Sequence, residues 1–279
     1  FLYNPNLYLN FKATSMTSPI RLLFLLILTS VLFSCAGAGK DETAGMSAQE
    51  LYDEAQDALK SAEFESAVKN LESLEARYPF DPYAKQAQLE IAYAYYKYDE
   101  LDSATSAVDR FARLHPRDPN MDYVYYLKGL INFNRGQGIL DAWFPREPSR
   151  HDPAVLEQAF NDFATLVKRF PDSKYAGDAH QRMVYLRNQM AEKEIHIAEF
   201  YIERKSWLSS AKRAKSVIER YPDTIWTKRA LEIMAQSYEQ LELEDLAADT
   251  RRIIDYNDFS DIATTVNPDK YRSAPPPSL

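Results

Sequence analysis

The sequence predicts an all-α protein: a solenoid of about five stacked helical hairpins. Three observations carry that expectation. First, a short mark ending in proline recurs as Arg77-Tyr78-Pro79, Leu114-His115-Pro116, Arg169-Phe170-Pro171 and Arg220-Tyr221-Pro222. Proline lacks an N–H and clashes with the preceding turn, so each copy ends a helix. Second, the apolar residues between these marks recur at intervals of three and four, the period of a helix with one buried stripe. Third, the 279 residues include only 7 glycines against 15 prolines, most of the prolines between periodic segments. That composition leaves little material for phosphate-cradling loops and suits many short helices.

Taken in order, residues 1–15 carry no signal features and read as an upstream extension. From Met16 onward come Arg21, an apolar run from Leu22 to Phe33, then Ser34 and Cys35. A positive n-region, a short h-region and a small residue at the cut describe a secretory signal. The run is shorter than the ~20 residues of an ordinary transmembrane helix. Leu32-Phe33-Ser34-Cys35 resembles the bacterial lipoprotein box, which makes 16–34 a lipoprotein signal peptide and Cys35 the acylated first residue. That resemblance also implies delivery to the outer membrane, since Ala36 and not Asp follows the cysteine. Residues 35–46 are small and polar and read as a lipidated flexible tether.

The solenoid is expected over 47–257, in units of about 47–79, 82–116, 119–171, 172–222 and 223–257. Ser47-Ala48-Gln49-Glu50 is a capping-box pattern. Counting back from Pro79, Ala48, Ala55 and Ala67 fall where two helices of a hairpin must approach closely. This is the tetratricopeptide template, whose period is ~34 residues. The second unit repeats it with Ala92, Tyr95, Ala104 and Phe111. Pro116 and Pro171 are 55 residues apart, so the third unit carries an insertion, read as a loop from Arg135 to Asp152 with a helix restarting at Asp152-Pro153. Pro171 and Pro222 are 51 apart; Asp172-Ser173 is expected to cap one long helix, or two nearly continuous ones, through Tyr201. Ala230, Leu231 and Met234 pair with Leu246, Ala247 and Ile254 in the fifth unit. Residues 258–279 read as a tail.

Composition excludes several classes. A net charge of −8 disfavours a nucleic-acid partner. One cysteine excludes a disulfide within the chain. The four histidines are scattered and form no ligand pair, so no catalytic residue, metal site or cofactor is expected apart from the covalent lipid on Cys35. Five helical units leave no room for a separate catalytic domain. The chain reads as non-enzymatic.

Binding is expected from aromatics. Nineteen tyrosines cluster at Tyr93, Tyr95, Tyr96 and Tyr98 and at Tyr123, Tyr125 and Tyr126. A helix so rich in tyrosine cannot hide every ring in one stripe, and tyrosine offers a large apolar face with a polar tip. Tyr78, Phe80, Tyr83, Tyr96 and Tyr126 are expected to border a groove for an extended polypeptide. Lys85, Lys97 and Lys128 lie near them and could receive a carboxylate. Lys212, Arg213 and Lys215 form a basic cluster in an acidic chain, a candidate partner contact.

Several segments go beyond the generic repeat. Arg77-Tyr78-Pro79-Phe80-Asp81-Pro82-Tyr83, Ala92 to Lys97, Asp122 to Tyr126, Ala159 to Phe163 and Tyr221 to Thr224 closely resemble the BamD family. These are tetratricopeptide lipoproteins of the outer-membrane β-barrel assembly machine. The resemblance covers about 47–257 and the lipoprotein box; the family's turn has Gly where this chain has Asp81. It implies docking on the barrel subunit BamA, a place beside other assembly-machine lipoproteins, and contact with unfolded outer-membrane protein precursors. It makes Tyr78, Phe80, Tyr83, Tyr96 and Tyr126 candidates for precursor binding. Lys212, Arg213 and Lys215 become candidates for partner binding. The alternative is another tetratricopeptide lipoprotein adaptor, serving pilus assembly or envelope hydrolases.

Overall fold

A computed structural model describes residues 43–135 and 153–259. Cys35, the insertion beyond Arg135 and the tail beyond Phe259 lie outside the described residues. Two units separate, 1–46 and 47–279, and every described helix belongs to the second. The helices are α1 (Ala48–Lys60), α2 (Phe64–Arg77), α3 (Pro82–Lys97), α4 (Leu101–Leu114) and α5 (Met121–Arg135). They continue with α6 (Pro153–Arg169), α7 (Ala176–Glu203), α8 (Trp207–Arg220), α9 (Thr227–Gln240) and α10 (Glu244–Tyr256). Each packs on the next, and the first helices of successive hairpins also meet, α1 with α3, α3 with α5 and α7 with α9.

Local chemistry accounts for the helix ends. Ser47 caps α1 in a full capping box: its Oγ accepts the Glu50 N–H at 3.2 Å and its own N–H donates to Glu50 Oε2 at 2.7 Å. The proline marks share one geometry. Tyr78, His115 and Tyr221 leave the helix at φ −127°, −127° and −130° with ψ near 50°, as a residue before proline must. Each still donates its N–H to the carbonyl four residues back, as does Phe170.

The turns inside the hairpins are equally uniform, and they do without glycine. Ala62, Asp99, Lys205 and Glu242 sit at φ of 59°, 65°, 56° and 57° in the middle of three-residue connections. The following residue donates back to the carbonyl five residues earlier, as Glu63 does to Ala58 and Leu243 to Tyr238. This is the Schellman arrangement, which satisfies carbonyls that the helix end would leave unpaired. An L-residue pays roughly 1–2 kcal/mol for the left-handed conformation.

One expected cap is corrected. Tyr175, not Asp172 or Ser173, is the residue before α7, and it makes no side-chain cap. Ser173 instead accepts the Tyr175 N–H at 3.2 Å and donates its own hydroxyl to Asp122 Oδ2 at 2.6 Å. It ties the start of α7 to α5, which a local pattern does not reveal. The fourth unit's first helix is a single uninterrupted one of 28 residues.

Small residues set the helix spacing. Ala55 and Ala67 are fully buried where α1 crosses α2. Gly129 of α5 is the tightest case: a Cβ built there would sit 2.4 Å from Phe163 Cε1 on α6. The fully buried Phe163 ring occupies the space a side chain would need and packs on Tyr126 and Phe133.

Candidate functional site

The mark between α2 and α3 shows how the sequence places an aromatic ring in solvent. Asp81 Oδ1 accepts the Tyr83 N–H at 2.9 Å and caps α3, whose first residue is Pro82. That leaves Phe80 at the apex of the turn, 99% exposed. Tyr78 and Tyr83 beside it are half-buried. The Tyr83 ring stacks on Tyr52 of α1 with centroids 4.7 Å apart.

Behind this stack lies a polar hub. Glu90 of α3 is buried, and its carboxylate accepts from the Tyr52 hydroxyl at 3.0 Å, Gln56 Nε2 at 2.6 Å and Gln86 Nε2 at 2.9 Å. Burial raises the Glu90 pKa, and the three donors pull it back only in part. The Tyr52 hydroxyl is raised as well, first by burial and then by the Glu90 charge.

Two expected groove residues are core residues instead. Tyr126 is 1% exposed: its ring stacks on Tyr175 at 4.7 Å and its hydroxyl donates to Asp178 Oδ2 at 2.7 Å. Tyr96 is buried too, and its hydroxyl accepts from Asn134 Nδ2 at 2.9 Å. The expectation that they border an open groove is therefore corrected. The physical reason is that α5, which carries Tyr126 and meets α3 where Tyr96 lies, is enclosed on several faces, by α3, α4, α6 and residues of α7. Buried residues occur on every side of it, so it hides far more than one stripe. Burial and the bond to Asp178 raise the Tyr126 pKa.

The lysines near these rings are engaged within the chain. Lys85 pairs with Asp118 and Lys128 with Asp109, each at 2.8 Å, and Lys97 lies 5.7 Å over the Phe64 ring. Sequence reasoning missed Glu90 and Arg182. Arg182 is 2% exposed, donates to Asp178 Oδ2 at 2.6 Å and lies 5.0 Å over the Phe133 ring. The available signal was an ionisable residue inside an apolar stripe: Glu90 among Leu89, Ile91 and Ala92, Arg182 between Ala179 and Leu186.

The basic cluster lies on α8, and all three side chains are exposed. Arg213 Nη1 is 3.1 Å from Glu194 Oε2 on α7, and Lys215 is 3.1 Å from Glu219 one turn along α8. A guanidinium that is half in water and already holds one carboxylate can exchange it for another at low cost. Among the described residues, no group of His, Cys, Asp and Glu could hold a metal ion, and no helix is long and apolar enough to cross a membrane.

A family model described as YfiO, outer membrane lipoprotein, matches residues 44–253. The outer membrane protein assembly factor BamD of Neisseria gonorrhoeae is 43% identical over 242 residues, covering 85% of this chain and 91% of that protein. The chain belongs to the BamD family. BamD of Vibrio cholerae is 37% identical over 232 residues, covering 83% of this chain and 96% of its own. A crystal structure of MamA protein covers 82% of this chain and 98% of its own, at 15% identity and a TM-score of 0.33. That likeness is too low to argue from. Family membership gives the two surfaces their context: the match spans all ten described helices apart from the last residues of α10.

Proposed function

We propose that this chain is a lipid-anchored, non-enzymatic scaffold of the β-barrel assembly machine at the periplasmic face of the outer membrane. The observation that carries the reading is the 43% identity, over 85% of the chain, to a relative named an outer membrane protein assembly factor. Cys35 carries the lipid anchor, in which each buried methylene is worth ~0.8 kcal/mol. The front hairpins receive unfolded outer-membrane protein precursors, with Phe80 as the exposed aromatic contact and Tyr78 and Tyr83 flanking it. Tyr96 and Tyr126, buried in the core, take no part in that contact. Lys212, Arg213 and Lys215 dock on a BamA-like barrel subunit, Arg213 exchanging Glu194 for a carboxylate of the partner. Other assembly-machine lipoproteins complete the complex, and no cofactor takes part.

Arg213→Glu tests the assignment of the two ends. Solubilised membranes should yield several-fold less barrel subunit with this variant, while photo-crosslinking of precursors at position 80 and the helical circular-dichroism signal stay unchanged. Undiminished co-purification, with precursor crosslinking lost instead, would reverse the two ends.

A further inference from the structure

Counted from the four proline marks, the solenoid repeats one buried position. Eleven residues after Pro79, Pro116, Pro171 and Pro222 stand Glu90, Leu127, Arg182 and Ile233. All four are buried in the first helix of their hairpin, on α3, α5, α7 and α9. Leucine and isoleucine fill the place in α5 and α9, so packing there does not ask for a charge. Replacing a buried ion by an apolar residue of similar volume is often neutral or stabilising. Glu90 and Arg182 therefore answer to something other than the core.

A second repeated position shows what that is. Four residues after the same prolines stand Tyr83, Asn120, Tyr175 and Trp226. The two helices with the buried charge are the two whose start carries a tyrosine. In both, that ring is stacked on a tyrosine from the first helix of the preceding hairpin. Tyr83 lies on Tyr52 of α1 with centroids 4.7 Å apart and planes at 20°, and Tyr175 lies on Tyr126 of α5 at 4.7 Å and 14°. The earlier tyrosine is then tied by its hydroxyl to the next helix. Tyr52 donates to Glu90 Oε1 at 3.0 Å, and Tyr126 donates to Asp178 Oδ2 at 2.7 Å, the oxygen that Arg182 also holds. The two seams differ in where the ring pair ends. Tyr175 is 4% exposed, whereas Tyr83 is half-buried in the turn whose apex is Phe80.

We propose that Glu90 is a positioning residue for the aromatic contact at Phe80. Its carboxylate holds the Tyr52 hydroxyl, the Tyr52 ring sets the plane of Tyr83, and Tyr83 stands as a fixed wall beside Phe80. A wall that is already ordered spares a bound segment the cost of ordering it. Glu90, being buried, touches no ligand; Tyr52 carries its effect outward. The inference rests on the reading of the front hairpins as the end that receives unfolded precursors.

Photo-crosslinking tests it, in the full chain with a photoreactive phenylalanine analogue at position 80, offered an unfolded outer-membrane β-barrel protein diluted from urea. Glu90→Leu copies the residue found in α5 and removes the acceptor. It should keep a cooperative unfolding curve and capture about fivefold less precursor, the scale of one hydrogen bond. Glu90→Gln retains an acceptor oxygen for Tyr52 and should restore most of the capture. Tyr52→Phe keeps the ring but loses the hydroxyl, and should fall as far as Glu90→Leu, with the double variant falling no further. Tyr52→Phe also decides the matter if Glu90→Leu does not fold. Unchanged capture by these variants, with the parent capturing well, overturns the positioning role and leaves the receiving end intact. No capture at position 80 in the parent overturns the receiving end itself, and this inference with it.

Discussion

The front and rear of the solenoid are joined by different chemistry. At the front, the seam from α1 to the start of α7 is held by ring stacks and buried hydrogen bonds: Tyr52 on Tyr83, Tyr126 on Tyr175, three donors on Glu90, and Arg182 on Asp178. At the rear, α7, α8 and α9 bury small residues such as Ala198, Ala214 and Ala230 with fewer buried polar links, Ser210 to the Ala198 carbonyl and the Ile225 N–H to Asn188, and join their rims through half-exposed ion pairs, Arg213 with Glu194 and Arg229 with Glu199. Buried networks are costly to leave half-satisfied, whereas exposed ion pairs are worth ~0–1 kcal/mol. The front is thus built to keep one geometry, and the rear has side chains that can change partners cheaply.

The largest expected effect tests the front seam at its tightest point. Phe163→Ala should cost ~3–5 kcal/mol in urea unfolding, the range for emptying a fully buried aromatic site. Gly129→Ala alone should cost ~1–3 kcal/mol, because its Cβ meets that ring. In the Phe163→Ala background the same change should be neutral or stabilising, since the ring is gone and alanine favours the helix. Additive costs would show that the two residues do not share one space.

A gain of about 1 kcal/mol is expected from Ala62→Gly, which relieves a left-handed alanine in the first hairpin turn. Asp99→Gly should gain less, because aspartate tolerates that conformation better. A loss in thermal stability at position 62 would mean that the turn is held by more than backbone preference.

The smallest effect is a slope. Burial raises the Glu90 pKa, so between its unfolded and folded values the folded chain keeps a proton that the unfolded chain has released. Stability from this group therefore falls as pH rises through that window. Glu90→Gln has no such titration, so the stability of the parent minus that of the variant should decline from the ordinary glutamate range toward neutrality. A difference that stays flat or rises would mean that the three donors hold the carboxylate charged, and the front seam would then be less dry than its burial suggests.

What could be read from the sequence was what is decided within a few residues. The proline marks and the capping box at Ser47 rest on local rules, and the helix ends there follow them; the fourth unit's long helical stretch was legible too, though as one helix or two. Tyr126 defeated such reasoning because its burial depends on how many neighbours enclose α5, and Tyr96 of α3 because its hydroxyl meets Asn134 of α5; no periodicity within one helix reports either. Ser173 failed as a cap for the same reason: its hydroxyl is claimed by Asp122, 51 residues earlier. Phe80 stands in solvent because a turn held by Asp81 and Pro82 leaves it at the apex.

The 28 residues of α7 have a mechanical consequence. At 1.5 Å per residue the helix is a beam of ~42 Å, and after Gly177 it contains neither glycine nor proline to act as a hinge. Its first turns carry Asp178 and Arg182 in the front seam, and its last turns carry Glu194 and Glu199, the counterions of the rear helices. A tilt of about 5° at one end swings the other by about 4 Å over that length. Leverage of this kind makes Glu194, the partner of Arg213, move with the stacking around Tyr126, so that a shift at the front can break or re-form that exposed ion pair.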